Sequence, residues 1–453
     1  MTAPVPADVL SRLKAVLGPD GWSQDPDRLA PKLVEWRDRW TGHAPILLLP
    51  RNTDQVSAIV GLCAETATPI VPQGGNTGLV AGQIPQGEVL LSLELMRQIR
   101  EVDPFDDVIT VEAGVPLASV HEAAAAVGRR FPLSLASEGS ATIGGLISTN
   151  AGGTAVLPNG EVFSGLKRLR KDNTGYDLKQ LLIGAEGTLG VVTAASLKLY
   201  PPLVSRSVAF VGVDNPQAAV TLLKQAKEES GGAVESFELI ARIGVEFVLR
   251  HIAGAREPLG EVQPWYILIE IASGEPNAAE AAMERLLASA LDSGLIRDAA
   301  IAQNDAQAKA FWSIREHQSA AQKPEGSVWK HDVSVPISRI ARFIDEATAA
   351  MLSFAPGSRV LAFGHVGDGN IHFDVLQPQG GDGAAHTARR EDAAHIVHDI
   401  VARYDGSISA EHGLGAMKTH EALRLKSPVE IEAQRAIRAA LDPQRIMNPR
   451  VLF

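Results

Sequence analysis

Apolar residues in the first part of the chain alternate between short unbroken runs and runs spaced as in a helix. The run Ile46–Leu49 lies between two prolines and suits a buried strand, and Pro69–Pro72 suits a second strand. Between them a helix is predicted to continue through Cys63, with Thr53 as its N-cap, because Ser, Thr, Asp and Asn favour that position. Strand, helix and strand in this order predict a parallel crossover unit.

Beyond Val204 the order of elements changes to strands and helices typical of an α+β module with an antiparallel sheet. A β-hairpin is predicted near its end, because Val366-Gly367-Asp368-Gly369-Asn370 suits a tight turn between two apolar strands. The predicted elements are strands at 207–213, 234–239, 265–271, 328–335, 360–365 and 371–375, and helices at 216–229, 277–293, 306–323 and 387–404.

The composition is that of an ordinary globular protein. A length of 453 residues suggests two or three domains, at about 150 residues per domain. A net charge of −11 argues against a protein that binds nucleic acid through its phosphates. There is no apolar run long enough for a membrane span and no signal-peptide pattern at the N-terminus, so we expect a cytoplasmic protein. Cys63 is the only cysteine, which excludes a disulfide or cysteine-ligated cluster within the sequence.

Two glycine-rich segments suit a close approach of the backbone to an extended ligand. Pro72–Leu79 directly follows a predicted strand, and residues 137–153 hold five glycines among many small residues. The first segment has neither the G-x-G-x-x-G spacing of a Rossmann fold nor a Walker sequence. A plain turn and a flexible loop are the alternative interpretations, although Ile143, Leu146 and Ile147 would anchor the second segment. Together the two segments can wrap one dinucleotide.

Two histidines flank the predicted hairpin turn. His365 and His372 would lie on facing strands, where directly opposed residues are about 5 Å apart and diagonal ones about 8 Å apart. With Glu411 they offer two imidazoles and a carboxylate, a set that suits zinc, manganese or another divalent ion and leaves positions for a substrate. Ordinary strand histidines with hydrogen-bonded partners are the alternative.

Three further residues are candidates for chemistry on a substrate. His412 follows Glu411 directly and has the pKa range of a general base, with a fourth metal ligand or a helix cap as the alternatives. Arg315 offers a planar fork for a carboxylate. Lys330 lies between Trp329 and His331 in an apolar strand, where an unpaired charge is costly. Either cation can instead belong to a structural ion pair.

Taken together, these segments resemble the FAD-linked 2-hydroxyacid dehydrogenases of the vanillyl-alcohol-oxidase type. This branch includes D-2-hydroxyglutarate dehydrogenase, D-lactate dehydrogenase and the flavin subunit of glycolate oxidase. The matching segments follow the family's order over nearly the whole chain: Pro72–Leu79, Ala141–Gly153, Lys171–Leu178, Gly184–Gly190, Phe311–Glu316, Gly364–His372, Glu411–Gly413 and Asn448-Pro449.

The resemblance implies an α+β fold with a bipartite FAD-binding domain, an inserted antiparallel α+β cap domain and a C-terminal return segment. The corresponding boundaries are 1–203 for the FAD-binding domain, 204–410 for the substrate or cap domain with the hairpin, and 411–453 for the return segment. Because Asn76 stands where some relatives attach the flavin through a histidine, the FAD is expected to be non-covalent.

The resemblance also implies a role for each site residue. His365, His372 and Glu411 would bind the metal, with zinc as first choice, and His412 would be the base. Arg315 and Lys330 would hold the carboxylate end of the substrate, with Ser319 nearby at a polar position and Asp374 as a further substrate contact. The implied FAD contacts are Pro72, Gly74, Gly75, Asn76, Thr77, Gly78, Leu79, Ser137, Thr142, Gly144, Gly145, Asn150, Gly152, Gly153, Glu186, Gly187, Val192 and Asn448.

The sequence departs from the family's pattern in two places. Only four residues join Gly153 to Pro158, where the family carries a further segment with a strand, so weakened FAD binding is one expectation. Asp374 stands where the hydroxyglutarate branch has Asn, and an acid there would repel a second substrate carboxylate unless it is protonated or paired.

The reaction implied by the resemblance is FAD- and metal-dependent oxidation of a small D-2-hydroxyacid to the 2-oxoacid. Electrons would leave to an external acceptor, such as an electron-transfer flavoprotein or a quinone-linked carrier, and a homodimer is compatible with the sequence. One alternative is an oxidase that uses oxygen. The other is a flavin-deficient metal-binding subunit of a larger dehydrogenase.

Overall fold

The computed structural model describes residues 4–135, 137–150, 154–169 and 171–452, without the side chains of Thr149 and Asn150. The chain forms two compact units. The first unit comprises Met1–Pro202 and Glu411–Phe453, and the second unit comprises Leu203–Ala410.

The N-terminal part of the first unit contains short strands and helices. Its strands are β1 Trp22–Ser23, β2 Leu47–Leu48, β3 Ile70–Gln73, β4 Val89–Ser92, β5 Ile99–Asp103, β6 Val108–Glu112, β7 Thr154–Val156, β8 Val162–Phe163 and β9 Val191–Lys198. Its helices are α1 Ala7–Leu17, α2 Pro26–Leu29, α3 Thr53–Glu65, α4 Leu117–Ala126, α5 Ile143–Asn150 and α6 Lys179–Leu182, with a 3-10 turn at Ala30–Lys32.

These strands form two sheets. The first has the order β1-β2-β4-β3, and both β2 and β3 run parallel to β4, which confirms the predicted crossover unit. The second has the order β5-β6-β9-β7-β8 and is antiparallel throughout. Helix α3 covers the first sheet with Val56, Ile59, Val60 and Cys63, all fully buried.

The N-cap of α3 is Asn52 rather than the predicted Thr53. The Asn52 side chain accepts a hydrogen bond from the backbone N–H of Gln55, which satisfies one of the unpaired donors at the helix start. Both residue types suit a cap, so the sequence preference alone did not decide between neighbouring positions.

The glycine-rich segment 137–153 contains a helix that the sequence did not predict. Helix α5 spans Ile143–Asn150, although two glycines lie in its first turn. Ile143 and Ile147, four residues apart, are buried against the core of the antiparallel sheet. Burial of this apolar face outweighs the low helix propensity of glycine.

The short connection after Gly153 is itself a strand. Thr154–Val156 forms β7, which pairs with β8 on one side and β9 on the other. Ala155 and Val156 are fully buried. The antiparallel sheet is therefore continuous across this region.

The second unit is an α+β domain. Its strands are β10 Ser205–Val213, β11 Val234–Ala241, β12 Trp265–Ser273, β13 Asp298–Ile301, β14 Val328–Ser334, β15 Arg359–His365 and β16 Asn370–Leu376. Its helices are α7 Pro216–Glu229, α8 Arg242–His251, α9 Ala278–Asp292, α10 Asp305–Glu316, α11 Gln318–Ala321, α12 Ile340–Phe354, α13 Gly383–Ala388 and α14 Arg390–Arg403, with 3-10 turns at Lys323–Glu325 and Ile337–Arg339.

All seven strands pair in one sheet with the order β13-β10-β12-β11-β15-β16-β14. Every pair in it is antiparallel, as predicted, and β15 and β16 form the predicted hairpin. Helices α8, α10 and α11 pack on the face that carries Ile240, Leu361 and Phe363.

Two predicted helices of this unit are interrupted. The helix predicted at 306–323 ends at Glu316, and α11 starts after His317. The helix predicted at 387–404 is divided at Arg389, and its first part begins earlier because Asp382 caps the backbone N–H groups of Ala384 and Ala385.

The C-terminal segment of the first unit contains two helices, α15 Thr419–Leu425 and α16 Pro428–Leu441. Arg438 of α16 is buried, and its guanidinium donates to the carbonyl oxygens of Met447, Asn448 and Val451. This contact fixes the turn-rich tail. None of the described helices combines the length and apolar character needed to cross a bilayer.

Candidate functional sites

One face of the seven-stranded sheet carries a group of polar residues that spans β11, β15, β16 and β14. Strand pairing places Glu238 opposite His365, His372 opposite Asp332, and Asp374 opposite Lys330. Residues two apart on a strand share a face, so these three pairs lie on the same side of the sheet. This polar face consists of Glu238, His365, Asn370, His372, Asp374, Lys330 and Asp332.

Glu238 connects two of the predicted site residues. It is 2% exposed, with Oε1 2.6 Å from Nδ1 of His365 and Oε2 2.6 Å from Nε of Arg315. Burial raises the pKa of this carboxyl, but the Arg315 cation and the hydrogen bond from His365 outweigh that effect and lower the pKa to about 2. Glu238 is therefore an ionised acceptor at neutral pH.

His365 and His372 lie side by side, with ring centroids 5.9 Å apart. Each directs Nδ1 towards a buried carboxylate, Glu238 for His365 and Asp332 at 3.5 Å for His372. The Asn370 amide in turn donates to Asp332. A histidine whose Nδ1–H faces a carboxylate presents the lone pair of Nε2, which is the usual arrangement of metal-binding histidines.

Arg315 reaches this face from helix α10. Its guanidinium stacks over the Phe363 ring at 5.0 Å, and Nη2 is 3.4 Å from Nε2 of His365. Glu238 engages Nε, and the terminal nitrogen Nη2 is directed towards His365. A substrate carboxylate held by the terminal nitrogens would lie next to the His365 imidazole.

Lys330 and Asp374 form a second ion pair on the same face. The Lys330 ammonium is 3.4 Å from Asp374 Oδ2 and also 3.4 Å from the Ser319 hydroxyl. Asp374 is 1% exposed, whereas the Lys330 side chain retains about 20% exposure. Both predicted anchors, Arg315 and Lys330, are thus paired with buried carboxylates, and their side chains are 11% and 20% exposed.

In the first unit, the two glycine-rich segments pack directly against each other. A Cβ on Gly75 would lie 1.9 Å from the Ser140 carbonyl oxygen, and one on Gly74 would lie 2.4 Å from Oγ1 of Thr142. A Cβ on Gly144 would contact Ala113 at 2.6 Å. Only glycine permits these approaches, so the segments form one continuous backbone surface.

This surface carries buried polar atoms that can hydrogen bond to a ligand. Oγ1 of Thr142 and Oδ1 of Asn448 are buried, and neither has a hydrogen-bond partner in the described part of the chain. The Asn448 amide nitrogen donates to the carbonyl oxygens of Gly82 and Glu186, which fixes its oxygen in place. Buried polar atoms are normally satisfied, so these two fit contacts with a polar cofactor such as FAD.

The end of the first glycine-rich segment is held by the protein. Asn76 adopts a left-handed backbone with φ of 56°, and its amide donates to the carbonyl oxygens of Pro31 and Val34. Gln83 donates to both Asn76 Oδ1 and the Gly78 carbonyl oxygen. The Leu79 carbonyl accepts from Arg39. These bonds fix the shape of the segment after Thr77.

Glu186 holds the segment that carries Glu411 and His412. Its two carboxylate oxygens accept the backbone N–H groups of Leu414 at 2.9 Å and Gly415 at 2.8 Å. Burial raises the pKa of the Glu186 carboxyl, and the two backbone hydrogen bonds oppose that shift. Gly187 follows with φ of 74°, where a Cβ would lie 2.5 Å from the Pro72 ring.

Most predicted site residues fall into these two groups, one in each unit. Gly152, Gly153 and the Asn150 side chain lie outside the described residues. Ser137 accepts backbone hydrogen bonds from Ser140 and Ala141 through its carbonyl oxygen, Gly145 follows Gly144 in α5, and Val192 is buried in β9. Glu411 and His412 open the C-terminal segment of the first unit.

Glu238 and Asp332 were not predicted from the sequence as site residues. Each is a carboxylate within an apolar strand, and an isolated acid in such a strand signals a buried ionic contact. This signal was available at Glu238 in the run Phe237-Glu238-Leu239-Ile240.

Comparison with known proteins places both units of the chain in described families. Residues 204–452 match the family model described as FAD linked oxidases, C-terminal domain, and residues 44–171 match the one described as FAD binding domain. A mitochondrial D-2-hydroxyglutarate dehydrogenase of Arabidopsis thaliana is 36% identical over 97% of this chain and 80% of its own length. A D-2-hydroxyglutarate dehydrogenase of Xanthomonas citri pv. viticola is 36% identical over 92% of this chain and 91% of its own length.

The fold has solved counterparts as well. A structure of p-cresol methylhydroxylase with substrate bound aligns with a TM-score of 0.75 over 98% of this chain and 96% of its own, at 15% identity. That likeness concerns the fold, which is the FAD-binding fold of the vanillyl-alcohol-oxidase type. The chain thus belongs to the FAD-linked oxidoreductases of this fold, in the branch that contains the D-2-hydroxyglutarate dehydrogenases.

Proposed function

We propose that the protein oxidises a D-2-hydroxyacid, such as D-2-hydroxyglutarate or D-lactate, to the 2-oxoacid with FAD and a divalent metal. The observation that carries this proposal is the set of contacts from Arg315 through Glu238 to His365. They place a cation that can bind a carboxylate beside two histidines oriented as metal ligands usually are. A 2-hydroxyacid has its carboxylate and hydroxyl on adjacent carbons and suits such a site.

FAD would be held by the two glycine-rich segments together with Thr142, Asn448 and Gly187. The close backbone packing and the unsatisfied oxygens of Thr142 and Asn448 support this assignment. When bound, the flavin supplies the acceptor for the hydride from C2 of the substrate.

A divalent metal, with zinc as first choice, would be held by His365, His372 and Glu411. Orientation of both imidazoles by buried carboxylates supports the first two ligands. Glu411 directly follows Ala410, whose backbone N–H donates to the Asp332 carbonyl oxygen. When bound, the metal lowers the pKa of the substrate hydroxyl.

The remaining roles belong to residues of the chain itself. Arg315 would bind the substrate C1 carboxylate through its terminal nitrogens, while Lys330, Ser319 and Asp374 contact the distal end. His412 would accept the proton of the hydroxyl group. Glu186 would keep His412 in place by fixing the backbone two and three residues further along.

The electrons must then pass to an external acceptor. An electron-transfer flavoprotein or a quinone-linked carrier is our proposal for that partner, in the cytoplasmic location expected from the sequence. If oxygen rapidly reoxidises the reduced flavin and forms stoichiometric hydrogen peroxide, the protein is an oxidase and this proposal is wrong.

Anaerobic spectroscopy of the purified protein tests the function. Addition of a panel of D-2-hydroxyacids should bleach the flavin absorbance, and the L-enantiomers serve as matched controls. The absence of bleaching with every D-acid, in protein that contains both FAD and metal, would refute the proposal.

A further inference from the structure

The charges on the polar face favour one class of 2-hydroxyacid. Two cations, Arg315 and Lys330, share this face with the three buried carboxylates Glu238, Asp332 and Asp374. The carboxylates outnumber the cations, so even a divalent ion would leave little positive charge for a second substrate carboxylate.

Lys330 is the cation that would otherwise receive such a second carboxylate. The Lys330 ammonium already forms an ion pair with Asp374, whose side chain is almost fully buried. An ionised carboxylate in that position requires a paired cation, because burial without one is strongly unfavourable. A substrate anion that approaches Lys330 would therefore compete with Asp374 and be repelled by it.

The position of this pair along the sheet matches the distal end of a substrate. Asp374 lies two residues beyond His372 on the same strand and face, a separation of about 7 Å. A substrate whose hydroxyl lies at the histidine pair and whose C1 carboxylate lies at Arg315 would extend its remaining carbons towards Lys330 and Asp374.

We propose that Asp374 is a specificity-determining residue that selects 2-hydroxyacids with a single carboxylate and an uncharged polar or small distal group. Asp374 acts by neutralising Lys330 and by repelling a distal carboxylate, while the Ser319 hydroxyl and Lys330 remain able to hydrogen bond to an uncharged group. This inference rests on the proposed function, since it concerns the substrate of the same site.

Two substrates of equal length and shape provide the test: D-2-hydroxyglutarate and its distal amide, D-2-hydroxyglutaramate. The rate of flavin reduction, measured anaerobically by stopped flow with the full-length protein, gives kcat/KM for each of the two substrates. We expect the wild-type protein to prefer the amide by about 10- to 100-fold, the order of effect of two like charges roughly 6 to 10 Å apart at the effective dielectric constant of a protein surface, about 20. Asp374→Asn should reduce that ratio at least about tenfold, because it removes the charge and keeps the shape.

Asp292→Asn is the matched control. Asp292 is the last residue of α9 and is exposed, so its loss changes the net charge of the second unit equally. The substrate ratio should be unchanged in this variant. If the substrate ratio falls by a similar factor in Asp374→Asn and Asp292→Asn, the preference reflects the net charge of the unit, and the assignment to Asp374 is wrong.

Binding of the products provides a readout that does not depend on turnover. The wild-type protein should bind the distal amide of 2-oxoglutarate more tightly than 2-oxoglutarate itself, and Asp374→Asn should narrow this difference. A wild-type preference for the dicarboxylates in both assays would refute the inference and leave the proposed function intact. Failure of all 2-hydroxyacids to reduce the flavin would instead refute the proposed function.

Discussion

Glu238 and His365 face each other on neighbouring strands, with Oε1 of the carboxylate 2.6 Å from Nδ1 of the imidazole. The second oxygen of the same carboxylate holds Nε of Arg315 at the same distance. One buried group therefore fixes both a proposed metal ligand and a proposed substrate anchor, and it contacts neither metal nor substrate in our proposal.

Replacement of Glu238 should weaken metal binding. Glu238→Gln keeps the shape but removes the negative charge that orients His365, so we expect metal affinity to fall about 10- to 100-fold. Metal titration of the apoprotein measures this change. The exposed Glu280→Gln serves as control, and equal metal affinity in all three proteins would restrict Glu238 to a role in stability.

Removal of either histidine should abolish the metal site. His365→Ala or His372→Ala deletes one of three ligands, so elemental analysis should find little metal, and chelator treatment of the wild-type protein should abolish activity in parallel. Full activity in protein shown to be free of metal would contradict the proposed site.

His412→Ala should mainly slow flavin reduction. General base catalysis contributes typically 10²–10⁴-fold, so a fall of roughly that order is expected in the reduction rate. FAD and metal contents should remain near those of the wild-type protein, since His412 is proposed to bind neither. An unchanged reduction rate at saturating substrate would assign the base to another residue.

Arg315→Ala should raise KM more than it lowers kcat. The substrate carboxylate keeps its charge during the reaction, and loss of a charge-assisted hydrogen bond is expected to lower kcat/KM by roughly 10- to 100-fold. The variant should also have a lower melting temperature, because Glu238 loses its paired guanidinium. Arg315→Lys should recover stability more than KM, since an ammonium lacks the planar fork. A lower melting temperature with unchanged kcat/KM would identify a purely structural ion pair.

The packing of the glycine-rich segments can be tested with one methyl group. Gly75→Ala would place a Cβ against the Ser140 carbonyl oxygen and force the segments apart, so the purified variant should contain much less FAD. Gly260→Ala is the matched control, because Gly260 lies outside both glycine-rich segments and a Cβ there would make only an ordinary contact with Asp298 Oδ2 at 3.8 Å. If both variants have the flavin absorbance of the wild-type protein, FAD binding tolerates the separation of the two glycine-rich segments.

Features with local signals were predictable from the sequence. The β15–β16 hairpin with His365 and His372 follows from turn residues between two alternating strands. The partner of His365 was not predictable in the same way, because Glu238 is 127 residues away in the sequence and β11 joins β15 only through the sheet order. The same holds for the pairing of Lys330 with Asp374, which depends on the register of β14 against β16.

Helix α5, in contrast, could not be predicted from local sequence. Its sequence, Ile-Gly-Gly-Leu-Ile-Ser-Thr-Asn, contains two glycines and three polar residues of low helix propensity, and no helix was predicted there. The deciding contribution is burial of Ile143 and Ile147 against strands distant in the sequence. The apolar residues Ile143, Leu146 and Ile147 indicated that the segment is anchored, but local composition did not distinguish an anchored loop from a helix.

The polar face depends on strand register as much as on residue identity. His372 and Asp374 share a face with His365 because the register of β15 against β16 places His372 opposite Phe363, two residues before His365. A slip of this register by one residue would preserve every side chain yet transfer both residues to the opposite side of the sheet. The register of the hairpin is therefore as much a part of this site as its side chains, and a change in the turn keeps the chemistry only if it keeps that register.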